Sequence, residues 1–243
     1  MINILKDNFK TTNNCIILAT PMILFFMAVQ WYVNTFQYSL NSAAHIITFF
    51  ITLWILFSGC FAGWFYMVKK TLQFYKRTYL FDTDRAKALS KLFLCLIKGI
   101  GKFFISFLAV IALCFCFKIV KILAIIYVFN IEDASVYDFI SNTGVIVAIV
   151  IMYWAIFWIP EIVYNYVNPF KALINSVKKA YISFKISCPI YLFIILSAFA
   201  IRHLLIHSQV SPYFYFILLI ISYYFILYSV LLVFRLYERC FIE

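Results

Sequence analysis

Charge is scarce in this sequence. Only 12% of its 243 residues are charged, about half the share of roughly 25% usual in soluble domains. Acids are rarest, nine against twenty lysines and arginines, and glycine and proline number five each. There is no phosphate-binding glycine loop, no His-Glu-x-x-His pair and no nucleophile elbow. Those absences remove the usual short signatures of an enzyme, although membrane enzymes often work without them. No disulfide framework is expected either. Cys15, Cys60, Cys95, Cys114, Cys116, Cys188 and Cys240 all fall outside the outer loops derived below, so reduced thiols are expected. Cys114 and Cys116 stand two apart and point to different sides of a helix, which does not suit a metal pair.

What the chain has in quantity is apolar surface. Hydrophobic residues make up 66% and the mean hydropathy is +1.01. A soluble domain of this kind would expose patches that aggregate unless lipid covered them. The 29 phenylalanines and 18 tyrosines share AT-rich codons with Ile, Lys and Asn, so an AT-rich genome alone could produce their excess. The net charge of +11 sits beside apolar segments. Such placement points to anionic membrane lipid and away from nucleic acid.

A spanning helix needs about 20 mostly apolar residues. Six segments qualify: 15–33, 46–68, 103–121, 145–167, 188–206 and 213–234. The expected fold is therefore all-α, a single membrane domain over 1–243 with six transmembrane helices. The runs are continuous and not alternating, which argues against a β-barrel. The first run is longer than a signal-peptide core, and the cleavage-like Ser42-Ala43-Ala44 lies well beyond it, so an uncleaved helix is expected. Every lysine and arginine except Arg202, Lys118 and Lys121 falls on one side of this layout. The positive-inside rule then places both termini in the cytoplasm, in the cytoplasmic membrane of a bacterium. Trp31 and Tyr32, Trp64 and Tyr66, and Tyr213 and Tyr215 fall where interfacial aromatic anchors belong.

Two cytoplasmic segments read as amphipathic interfacial helices. In residues 84–102, Lys87, Lys91, Lys98 and Lys102 fall within about 60° of arc, opposite Leu89, Leu92, Phe93, Leu96, Ile97 and Ile100. Asp82, Thr83 or Asp84 can cap its start. In residues 169–185, Leu173, Val177, Ala180 and Phe184 make a stripe with Lys171, Lys178 and Lys185 opposite. Asn168 is a suitable cap, and Pro169 suits the first helical position. Both lysine stripes suit anionic headgroups. The alternative is that either helix simply packs under the bundle. A weaker basic segment, 2–10, precedes the first span, so the chain reads as three hairpin units, each led by a basic helix.

Pro160-Glu161, Asn168-Pro169-Phe170-Lys171-Ala172-Leu173 and Ser176 resemble a bacterial pattern. It is that of the membrane domain attached to some glycerophosphoryl diester phosphodiesterases, and of its stand-alone six-span relatives. Pro160, Glu161, Ala172, Leu173 and Ser176 match. The Trp usual after that Ser and the following Thr-Lys-Gly-like turn do not, since Val177-Lys178-Lys179-Ala180 stands instead. The resemblance implies six spans but no catalysis. That family's chemistry belongs to a separate barrel of about 250 residues, and no catalytic residue or cofactor is carried across.

Glu161 is the one carboxylate inside an expected span, and a charged group there is a functional hypothesis by default. Pro160 beside it can kink the helix. Glu161 then either serves transport or forms a structural pair with Arg235 or Lys102. His45, His203 and His207 share the outer face. His203 and His207 are four apart, a spacing zinc sites use, with Glu132, Asp133 or Asp138 as further ligands. The alternative is three interfacial histidines without metal. Lys118 and Lys121 snorkel to the outer headgroups or pair with the acidic outer loop. Gly59 and Gly63 make a small-residue row for close helix packing. Tyr153, Trp154, Phe157 and Trp158 crowd the fourth span, as ordinary packing or a hydrophobic groove. The function expected first is non-enzymatic, in lipid organisation or as a transport accessory. A second copy or another membrane protein is a further expected partner. The alternatives are a small transporter using Glu161 and a metal-dependent membrane enzyme.

Overall fold

Continuous apolar runs satisfy their backbone in lipid within helices, and every regular element among the described residues is helical. The computed structural model describes residues 2–36, 43–75, 85–123, 134–166, 168–207 and 212–242. In chain order they form α1 (Ile2–Asn14), a 3₁₀ turn (Ile16–Ala19), α2 (Thr20–Phe36), α3 (Ala43–Tyr75) and α4 (Arg85–Leu123). Then come α5 (Ala134–Trp154), α6 (Trp158–Asn165), α7 (Pro169–Ile182), α8 (Phe184–His207) and α9 (Pro212–Phe241). Five segments are long and apolar enough to cross a membrane: Ala44–Gln73, Lys91–Phe117, Gly144–Asn165, Phe184–His207 and Tyr213–Phe241. All seven cysteines are free.

The expected first span takes another form. Pro21 has no N–H to return to Ile17, and the chain passes there from a 3₁₀ turn into α2. The 17 residues of α2 reach about 25 Å, short of a hydrocarbon core of about 30 Å. The preceding turn adds about 8 Å.

The segment 84–102 is not a separate helix lying flat. It is the first half of α4, which runs unbroken for 39 residues into the expected third span. Nothing in Lys98-Gly99-Ile100-Gly101-Lys102 stops a helix firmly, and Gly99 lets this half lie directly on α3. A Cβ on Gly99 would stand 2.7 Å from Tyr66 Cβ and 2.8 Å from the Ala62 carbonyl. One on Gly63 would meet the Leu96 carbonyl at 2.8 Å. The close approach is therefore Gly63 against Gly99. Gly59, expected to share it, has its nearest neighbour at 4.0 Å, ordinary contact. The expected capping residues 82–84 lie outside the described residues. Since α4 carries its own basic segment, only α1 and α7 stand as separate leading helices.

The expected fourth span is divided as well. It breaks at Ala155–Phe157 into α5 and α6, three to five residues before Pro160, whose ring opposes a helical carbonyl at Ile156. At the other end of α6, Tyr166 caps the helix in the left-handed region (φ 56, ψ 33), its N–H bonding the Ile162 carbonyl. Asn168 caps α7 as expected, its side chain accepting from Phe170 N, with Pro169 at the first position. The last helix continues to Phe241, so Arg235 lies inside it.

The core gathers at one end of the bundle. Trp64, Phe65 and Met67 of α3 pack with Phe103, Phe107, Ile162, Leu231 and Phe234. Beside them, Phe157, Ile190, Leu232, Leu236 and Tyr237 form a second cluster. Trp64 is thus no surface anchor: it is 1% exposed, and its indole N–H donates to the Leu18 carbonyl at 2.8 Å. Tyr66, expected as an anchor beside it, is buried too, while Trp31 and Tyr213 are exposed.

Candidate functional site

The helix break leaves backbone groups that need partners in a low-dielectric interior. Ser176 of α7 supplies two. Its hydroxyl accepts from Phe157 N at 3.1 Å and donates to the Trp154 carbonyl at 2.9 Å. Trp158 Nε1 donates to the Pro169 carbonyl at 2.8 Å, tying α6 to the start of α7. Ala172 and Ala180, one turn either side of Ser176, are fully buried, so α7 presents a small-residue face to the broken helix.

That close seating brings Glu161 against α7 and α9. Its side chain is 2% exposed and its two oxygens accept four hydrogen bonds. Oε2 takes Lys179 Nζ at 2.6 Å and the Tyr237 hydroxyl at 2.5 Å. Oε1 takes Asn165 Nδ2 at 3.0 Å and Asn175 Nδ2 at 2.9 Å. The Tyr237 hydroxyl also accepts from Lys179 Nζ at 2.6 Å and Asn165 Nδ2 at 2.9 Å. A buried carboxylate is tolerated when it is paired and hydrogen-bonded, and this one is both. Nearby, Tyr164 donates to Glu238 Oε1 at 2.5 Å, and Lys69, buried, donates to the Val163 carbonyl at 2.8 Å.

The ion partner of Glu161 is Lys179, not Arg235 or Lys102. Arg235 Nη2 donates to Thr11 Oγ1 at 2.7 Å on α1. Lys102 lies over the rings of Tyr66 and Tyr166, at 5.6 Å from each centroid. A sequence signal for Lys179 did exist. It falls well outside the arc shared by Lys171 and Lys178 on the same helix, as an inward lysine must; the expected helix 169–185 ends at Ile182, so Lys185 belongs to α8. Tyr237 had no comparable signal, since it stands 76 positions from Glu161.

Among the other expected residues, Lys91, Lys98, Lys102, Lys171, Lys178 and Lys185 are all exposed. The side chain of Lys87 lies outside the described residues, as do those of Lys118 and Lys121. The outward stripe of α7 differs from the one expected: Ala180 is buried, while Phe170, Ile174, Val177 and Tyr181 are exposed. Tyr153 bonds Ser187 and the Ala180 carbonyl, and Phe157 is fully buried, so the aromatic crowd of the fourth span is packing.

Comparison with protein families, characterised proteins and solved structures gives no match.

The histidines do not assemble a ligand shell within the described residues. The rings of His203 and His207 are 4.3 Å apart, but no group of three His, Cys, Asp or Glu that could hold a metal forms among those residues. Glu132 and Asp133, and the Asp138 side chain, lie outside them.

Proposed function

We propose that this is a non-enzymatic membrane protein of six spans, α2 with its 3₁₀ turn being the first. Both termini lie in the cytoplasm of a bacterial cell, and the protein organises lipid or assists transport at the cytoplasmic membrane. The observation that carries the lipid reading is the two-faced character of α7. Its small face docks on the broken helix, while Phe170, Ile174, Val177 and Tyr181 point outward with Lys171 and Lys178 exposed beside them. An apolar stripe flanked by lysines suits the boundary between headgroups and acyl chains of anionic lipid. The same site supports the likeness to the phosphodiesterase-associated membrane domain, since Pro160, Glu161, Ala172 and Ser176 all lie buried around one helix break.

The transporter alternative rests on that break, because interrupted helices are where transporters hold ions and substrates. Four donors already occupy the Glu161 carboxylate, which favours a structural pin. Changing Lys171, Lys178 and Lys185 to Gln tests the lipid reading. Native mass spectrometry of detergent-purified protein should show most of the retained anionic lipid lost. Unchanged retention would show that the stripe is only a solvated face.

A further inference from the structure

A second cluster of cations, on α3 and α4, lies at the same end of the bundle as Glu161 but outside its network. Lys69, Lys70 and Lys102 converge on three tyrosines, Tyr66, Tyr164 and Tyr166. Lys69 Nζ stands 4.7 Å from the Tyr164 ring centroid and 5.0 Å from that of Tyr166. Lys102 Nζ is 5.6 Å from Tyr66 and from Tyr166, and Lys70 Nζ is 5.7 Å from Tyr66. The charge of Lys69 is opposed by those of Lys70 and Lys102, and the nearby acid is Glu238, which also accepts from Tyr164. Among the described residues, three ammonium groups against one carboxylate leave a local excess of positive charge at a site where Lys69 is only 5% exposed. In a low dielectric, such repulsion favours an anion between the cations.

The backbone adds a second sign. Tyr166 is the only non-glycine residue with positive φ among the described residues. That conformation is uncommon for an aromatic residue and concentrates at functional sites. Its ring stacks on Phe103 at 5.2 Å and meets both Lys69 and Lys102 while remaining 57% exposed.

The neighbouring surface indicates the source of the anion. On α4, Leu94 and Ile105 are exposed and share a helix face with Gly101, beside Lys102. A Cβ on Gly101 would have no neighbour within 4 Å, so the space over it is open. Lys102 therefore stands next to an apolar strip with room for a hydrocarbon chain.

We propose that Lys69, Lys70 and Lys102, arranged around Tyr66 and Tyr166, bind the phosphate of one phospholipid headgroup, with an acyl chain along Leu94, Gly101 and Ile105. This rests on the lipid-contact reading above and narrows it to one site for one lipid. The test is titration of the detergent-purified protein with phosphatidylglycerol, followed by native mass spectrometry. Lys70 is half-buried and Lys102 exposed, so the double change K70Q/K102Q should leave melting unaltered. It should weaken the first bound lipid about 30-fold. The double change K171Q/K178Q removes the same charge from α7 and should leave that first lipid in place. Equal weakening by both pairs overturns the single site and leaves the general reading standing. Weakening by K171Q/K178Q alone does the same. Inorganic phosphate that displaces the lipid when equimolar with it overturns the lipid assignment. Should K70Q/K102Q melt early, Y166F and Y166A provide the second measurement. The first should retain the lipid and the second lose it, and equal affinity of the two overturns the site.

Discussion

From Ala62 to Lys69 every residue of α3 is buried, whereas from Ala44 to Ile51 none is. The other long helices repeat the contrast. On α4, Phe103, Phe107 and Val110 are buried while Cys114 to Phe117 are exposed. On α8, Ser187, Ile190 and Tyr191 are buried and no residue from Leu192 to His207 is. Between apolar helices in lipid there is little hydrophobic drive to associate, because lipid tails are as apolar as leucine. Association then needs small residues that let backbones approach, or hydrogen bonds between helices. The Glu161 end has both: Gly63 against Gly99, Ala172 and Ala180 on α7, and the hydrogen bonds around Glu161 and Ser176. The His203 end offers mainly bulky apolar side chains, such as Phe199, Leu204 and Ile206, which gain little by exchanging lipid for one another. The fold is held at one end, and that end carries both candidate sites.

The largest expected effect breaks the held end directly. Glu161→Gln keeps the side-chain shape and removes the charge that Lys179 and Tyr237 share. Breaking a buried ion pair costs about 3–5 kcal/mol. Lys179 is 22% exposed, which places this change near the lower figure, about 3 kcal/mol. Thermal melting in detergent should fall by several degrees, and adding Lys179→Gln should return part of the loss. An unchanged melting curve in the single variant would remove Glu161 as the pin of this end.

The second effect separates close helix approach from mere small-residue composition. Gly99→Ala forces a methyl against Tyr66 Cβ and the Ala62 carbonyl, at 2.7 and 2.8 Å. Overpacking of this kind costs about 1–3 kcal/mol. Gly59→Ala, whose methyl would meet only Phe104 at 4.0 Å, should be near neutral or slightly stabilising, by up to about 1 kcal/mol, since Ala suits a helix better. Chemical denaturation of the two variants side by side measures the gap. Equal stability would mean that the α3–α4 contact does not hold this end.

These two sites also show how far sequence reasoning reaches. The apolar runs were legible because helix length and hydropathy are local properties, and five of the six segments are long apolar helices. A kink caused by Pro160, found one turn earlier at Ala155–Phe157, and the start at Asn168-Pro169 were legible for the same reason. Pairing was not. Gly59 and Gly63 share a row on α3, yet only Gly63 has a facing glycine, and Gly99 reads in sequence as part of a cationic surface helix. Lys179 stands off the arc of Lys171 and Lys178, but nothing local says that it meets Glu161, and nothing local connects Glu161 with Tyr237. The expected pairing of Glu161 with Arg235 or Lys102 failed because position along a span does not give the direction in which each helix presents its side chains.

The smallest effect belongs at the loosely packed end. His203 and His207 are both exposed, with rings 4.3 Å apart. Two imidazoles are half of a four-ligand structural zinc site and one short of a three-ligand catalytic one. Surface changes away from caps, cores and networks usually stay within about 0.5 kcal/mol. The double change H203Q/H207Q should therefore leave melting within that range of the parent protein. Added zinc should not raise the melting temperature of either protein, because binding that favours the folded state stabilises it in proportion to RT ln(1 + [L]/Kd). A zinc-dependent rise in the parent that disappears in the double variant would reverse the comparison. It would mean that residues outside the described ones, Glu132 and Asp133 being the candidates, complete a ligand shell. The His203 end would then have an organising centre of its own, and the bundle would be held at both ends.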